Sequence, residues 1–243
     1  GGLKRGCNTD LCRCRFAVMN PELTYTLPDY QTQCGCTDIM MHTMERYFNM
    51  SENMELTDGI SEALIKTVMK HSKILKERPD CYESRAEVMW ASSLSHNDLT
   101  GCGTGGGDWA CHQLEHEIGG MFDVAHGAGL AAVWGSWARY VYKARPERFA
   151  KFARNIFNIQ ETDDEKAAVA GIEAMENYYR SVGMPTSLCE LGIHATEEQI
   201  KEMADKCSFY GKRTVGVMKK IGAPEAAEIY RMANDKSIPL YSR

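Results

Sequence analysis

Apolar residues recur along this chain mainly at helical spacing. In Asp38–Met50 they fall at Met40, Met41, Met44, Tyr47 and Phe48, one face of a 3.6-residue repeat. The same period predicts helices over Glu55–Lys76, Tyr82–Leu94, Trp109–Ile118, Leu130–Lys143 and Pro146–Phe157. Thr162–Glu165 and Thr196–Gln199 fit the capping box, in which a Thr oxygen takes an orphan amide and the Glu or Gln returns a bond. They predict helices over Asp163–Ser181, closed by Gly183 and Pro185, and Glu197–Phe209. Pro224 suits the first turn of a last helix that ends near Asn234. Strand signal is confined to "RFAVMN", Arg15–Asn20. The outline is one short strand and then about nine helices, with a seam at Leu27–Pro28, and the fold class is all-α.

Composition narrows the functional classes. With 243 residues, 44% hydrophobic and 25% charged, the chain has material for a large core. Its net charge of −5 gives no basic footprint for nucleic acid or an anionic membrane surface. No apolar run approaches the roughly 20 residues of a membrane helix, and the start carries no signal-peptide pattern. A cytoplasmic location is expected. The ten cysteines lack the paired C-x2-C spacing of zinc ribbons, so they are expected to be reduced and to serve as small buried residues. A cluster at Cys7, Cys12 and Cys14 is the alternative use for three of them.

The candidate chemistry lies in the histidines. "ACHQLEHEIGGMFDVAHGAG", Ala110–Gly129, holds His112, His116 and His126. His112 and His116 share a helix face at i, i+4. On one straight helix His112 and His126 would be separated by roughly 21 Å, too far to share an ion. Gly119–Gly120, Asp123 and Gly127 are expected to end the helix between them, leaving His126 at the start of the next. Upstream, Asp38 and His42 are also at i, i+4, a spacing at which a carboxylate and an imidazole can bind one ion. Asp38, His42, His112 and His126 together would offer one oxygen and three nitrogens, a set suited to Fe²⁺ or Zn²⁺. The rival reading is "HQLEH", which matches the H-x-x-E-H zinc-peptidase pattern with Glu115 as general base. "GTGGGD", Gly103–Asp108, follows a helix rather than a strand and reads as a flexible connector, not a phosphate loop.

Three stretches, "FAVMNPELTYTLPDYQTQCGCTDIMMHTMERYF", "LTGCGTGGGDWACHQLEHEIGGMFDVAHGAGLA" and "MPTSLCELGI", resemble the iron-containing (group III) alcohol dehydrogenases. The NADP(H)-dependent butanol dehydrogenase and aldehyde reductase branch is the most similar. The resemblance implies a C-terminal part of such an enzyme. Residues 1–27 would be the terminal strand segment of an α/β nucleotide-binding domain, and 28–243 an all-helical metal-binding catalytic domain. It implies Asp38, His42, His112 and His126 as ligands of Fe²⁺ or Zn²⁺, and His116 near the metal as a catalytic proton relay. Lys4, Leu27 and His126 would face NADP(H) or NAD(H). The implied reaction interconverts primary alcohols and aldehydes by hydride transfer, the metal polarising the substrate oxygen. Implied partners are the small-molecule alcohol or aldehyde, the nicotinamide cofactor and, in the full-length form, a second copy in a homodimer; no nucleic acid or membrane partner is expected. A metal-binding fragment without turnover is the remaining alternative.

Overall fold

Pro28 opens the first helix, its fixed φ of −56° leading into α1, Asp29–Tyr47. The computed structural model describes residues 4, 6–7 and 9–235. Eight further helices follow: α2 (Glu55–Glu77), α3 (Tyr82–His96), α4 (Ala110–Phe122), α5 (His126–Val141), α6 (Pro146–Phe157), α7 (Asp164–Ser181), α8 (Glu197–Cys207) and α9 (Ala223–Asn234). The chain is all-α, as its periodicity predicts. Among the described residues, strand-like pairing is limited to one isolated antiparallel bridge, Val215 with Ile221.

α5 is the centre of the molecule. Gly127 through Ala138 are all buried, including both Trp134 and Trp137. A helix that is apolar all round must be covered on every side, and α1, α4, α7 and α9 all pack against it. Gly127 permits the closest approach. A Cβ there would lie 2.0 Å from the Cys34 carbonyl oxygen of α1, so only glycine lets the two backbones meet. α6 turns Phe149, Phe152 and Ile156 inward, with Phe149 stacked on Phe48 at 4.3 Å between centroids. α8 and α9 close the far side against α4 and α5.

Several expectations need correction. Arg15–Asn20 forms no strand; Phe16 and Val18 are 82% and 86% exposed, and a strand without a neighbour has no ladder to hold it. α1 begins at Asp29 rather than Asp38. Its first turns bury Thr32, Gln33 and Thr37, so an apolar stripe does not announce them. α4 runs through Gly119–Gly120 and ends at Asp123, whose φ of 53° is left-handed. Ile118 is fully buried there, and Met121 and Phe122 pack on the core, which overrides weak local propensity. The cap of α7 is Asp163, which accepts from Lys166 N at 2.9 Å, and not Thr162. The box at Thr196 and Gln199 forms in both directions, at 3.3 and 2.9 Å. All ten cysteines are free, but only Cys34, Cys36, Cys111 and Cys207 are buried; Cys7, Cys12 and Cys14 are exposed. No described helix is long and apolar enough to cross a membrane.

Candidate metal centre

Asp38 and His42 sit one turn apart on α1, as their spacing predicts. His112 lies in the first turn of α4, and the chain turns back at Asp123–Ala125 to place His126 as the first residue of α5. The helix–turn–helix read from the sequence is therefore formed. It brings three imidazoles around one oxygen. The Nε2 atoms of His42, His112 and His126 lie 3.7, 3.5 and 3.5 Å from Asp38 Oδ1.

Two of these atoms are buried without a hydrogen-bond partner, Asp38 Oδ1 and His112 Nε2. A buried polar atom left unpaired is costly, and two facing each other at 3.5 Å fit a cation bound between them. The donor set, one carboxylate oxygen and three imidazole nitrogens, suits Fe²⁺ or Zn²⁺. The residues present thus fit a divalent metal. Asp38 and His126 remain 27% and 31% exposed, so the cluster opens to solvent on one side.

The electrostatics follow from crowding. Burial works against the charge of Asp38, but the facing His112 ring and the other surrounding imidazoles outweigh it and hold the carboxyl at about 2. Burial pushes His42 down to about 3, helped by the neighbouring His112. For His112, burial is overcome by the Glu45 charge and by Asp38, raising it to about 9.

Each of the two later histidines has a carboxylate behind it. Glu45, buried on α1, meets His112 Nδ1 with Oε2. Its Oε1 accepts from the backbone N–H of Cys111 at 2.6 Å and of His112 at 3.3 Å. Glu115 Oε2 meets His126 Nδ1 and also takes Lys4 Nζ at 2.8 Å. Lys4 Nζ lies 2.9 Å from His126 Nδ1 as well. Lysine can only donate, so Nδ1 either accepts from Lys4 or donates to Glu115, not both. Donation to the carboxylate keeps the Lys4–Glu115 ion pair and leaves Nε2 free for the cluster.

His116 stands outside the Asp38 group. Its ring lies 5.9 Å from that of His126, and a ring nitrogen groups with Glu115 and His126 instead. Burial pushes His116 down to about 4, below the ordinary range expected of a free imidazole. Glu115 is bonded to Lys4 and His126. Leu27 is 42% exposed on the loop into α1.

Sequence reasoning missed four residues at this site. Glu45 follows Asp38 at i+7 and His42 at i+3 on the same face, a period that could have flagged it. His96 ends α3 and stacks on His42 at 3.8 Å, with Nε2 3.9 Å from Asp38 Oδ2. Its place depends on how α3 meets α1, which spacing does not reveal. Trp109 caps α4 in the left-handed region, φ 61°, with its indole 5.4 and 5.3 Å from the His42 and His112 rings. Arg46 holds the indole from behind, 4.8 Å from the ring centroid, while bonding the carbonyls of His42 and Ser95. For Glu115, which the sequence offered as a general base, the role as partner of His126 was not foreseen. The loop before α4 is not a loose connector. Gly107, at φ 83°, passes so close to α1 that a Cβ would lie 2.8 Å from the Glu45 carbonyl, and Asp108 N donates to that same oxygen at 2.7 Å.

Comparison with known proteins agrees with this architecture. Residues 32–233 match the family model described as Fe-containing alcohol dehydrogenase family, C-terminal. NADH-dependent butanol dehydrogenase A of Clostridium acetobutylicum is 36% identical over 230 residues, covering 94% of this chain and 58% of that protein. The NADPH-dependent aldehyde reductase YqhD of Escherichia coli is 32% identical over 219 residues, covering 90% and 56%. The crystal structure of NADH-dependent butanol dehydrogenase A from Thermotoga maritima superposes with a TM-score of 0.83 at 36% identity, over 88% of this chain and 55% of that one. The names divide between NADH and NADPH, the two nicotinamides between which the sequence does not choose. The chain spans somewhat over half the length of the curated relatives it matches. The family match also removes the peptidase reading of "HQLEH". This chain belongs to the iron-containing alcohol dehydrogenase family.

Proposed function

We propose that this chain is the metal-holding helical part of an NAD(P)(H)-dependent oxidoreductase that interconverts primary alcohols and aldehydes. The observation that carries this reading is the convergence of three imidazole Nε2 atoms on the buried, unpartnered Oδ1 of Asp38. Asp38, His42, His112 and His126 would hold the metal, Fe²⁺ or Zn²⁺. When bound, it supplies Lewis acidity toward the alcohol or carbonyl oxygen. The relatives' names support the substrate class and the nicotinamide.

The chain's own residues have distinct tasks. The packed helices α1, α4 and α5 hold the four donors in place before substrate arrives, which lowers the cost of ordering them. His42 and His126 would present their Nε2 lone pairs to the ion. His116, held neutral by burial, is the group we assign to take up and return the hydroxyl proton at a ring nitrogen. Lys4, whose ammonium reaches Glu115 and His126, and the exposed Leu27 are the groups we assign to the nicotinamide cofactor.

Metal analysis after anaerobic purification, with butyraldehyde reduction by NADH and NADPH, tests this reading. The assay compares this chain with a chimera that takes its remaining N-terminal length from the Clostridium acetobutylicum relative. We expect about one divalent metal per chain, lost in Asp38→Ala, and reductase activity in the chimera. Metal-free protein, or metal content unchanged by Asp38→Ala, rejects it. A second reading, a metal-binding unit without turnover of its own, rests on the partial length of the match and predicts metal but no activity in the chain alone.

A further inference from the structure

We propose that Glu45 is a positioning residue of the metal centre, setting the affinity of the site by locking the ring of His112. This inference rests on the metal reading given above. Glu45 is 1% exposed and its carboxylate is committed entirely to the first turn of α4. Oε2 faces His112 Nδ1, and Oε1 takes the backbone N–H groups of Cys111 and His112. Its carbonyl is pinned too, by Asp108 N. The carboxylate therefore requires a proton on Nδ1 and leaves Nε2 as the coordinating nitrogen. That Nε2 is the buried atom without a partner, directed at Asp38 Oδ1.

α1 thus carries two donors, Asp38 and His42, and also the clamp that orients a third donor from another helix. One carboxylate sets the register of α4 against α1 at the point where the ion would sit. A glutamine in its place keeps the volume but brings an NH₂ group. That group opposes either the backbone amides or Nδ1–H, so the ring must turn or the first turn of α4 must shift. Losing an orienting partner of this kind typically costs about 10–100-fold in metal affinity.

The test titrates Zn²⁺ into the wild-type chain, Glu45→Gln and Glu62→Gln, by competition with a chelator. Glu62 is a buried carboxylate bonded to Tyr47 and Asn155, remote from the cluster, and controls for general loosening of the core. We expect a dissociation constant raised about 10–100-fold in Glu45→Gln and unchanged in Glu62→Gln. In the Zn²⁺-loaded wild type, proton NMR should show a strongly downfield ring N–H from His112, assigned by its loss in His112→Ala. That signal should be absent in Glu45→Gln. Equal affinities in wild type and Glu45→Gln, an equal loss in Glu62→Gln, or no such resonance in the loaded wild type overturns the role of Glu45. A wild-type chain that takes up no Zn²⁺ overturns the metal reading itself, and this inference with it.

Discussion

Asp38 turns a buried, unpartnered oxygen toward three imidazoles. Asp38→Asn keeps the shape and removes the charge. Its metal affinity should fall by more than the roughly 10–100-fold typical of an orienting partner, measured by chelator competition. Asp58 makes a different prediction. Burial raises its carboxyl, but the bonds from Arg148 and Lys151 outweigh this and hold it below its usual range. A depressed carboxyl stabilises the fold above its unfolded pKa of about 3.9, and that contribution is lost as pH falls through the lower folded value. Urea melts should show the loss below about pH 4. Asp58→Asn should lose about 3 kcal/mol at neutral pH and that part of the acid dependence. At this scale the sequence was informative where spacing alone suffices: Asp38 with His42, and His112 with His126 across a turn. It was silent on His96 and Trp109, because their nearness to His42 depends on tertiary packing.

Helix ends and crossings decide the next level. Thr196→Ala removes the side chain that caps α8 and should cost about 1 kcal/mol in thermal unfolding. Gly127→Ala forces a methyl into the Cys34 carbonyl, so α5 must move off α1. We expect a loss of about 3 kcal/mol, together with weaker metal binding, since His126 immediately precedes it. Most helices were legible because their apolar faces are clean, as in α6. The start of α1 was hidden because its buried face is polar: Gln33 Nε2 donates to the Ser72 carbonyl at 3.1 Å, and Thr32 accepts from Arg85 at 3.1 Å. Such pairings form only when α2 and α3 are in place. The strand expected at Arg15–Asn20 failed for the converse reason, an apolar run with no neighbour to pair with.

Across the whole molecule, the four proposed ligands come from three helices, so a bound ion would tie α1, α4 and α5 together. An unfolded chain cannot assemble that set, and binding then stabilises the fold by linkage. With free Zn²⁺ at 100 times its dissociation constant the gain is about 2.7 kcal/mol, each kcal/mol being worth about 2–4 °C of melting temperature at this size. Zn²⁺ should therefore raise the melting temperature, chelator should reverse it, and His112→Ala should show neither effect. The position of Trp109 makes occupancy visible without any catalytic assay. Of the four tryptophans, Trp134 and Trp137 are buried in the core and Trp90 is 55% exposed, whereas the Trp109 indole lies edge-on to two histidines of the cluster. An open-shell ion such as Co²⁺ seated there would quench its emission and diamagnetic Zn²⁺ would not, giving the protein a built-in optical gauge of which metal it carries.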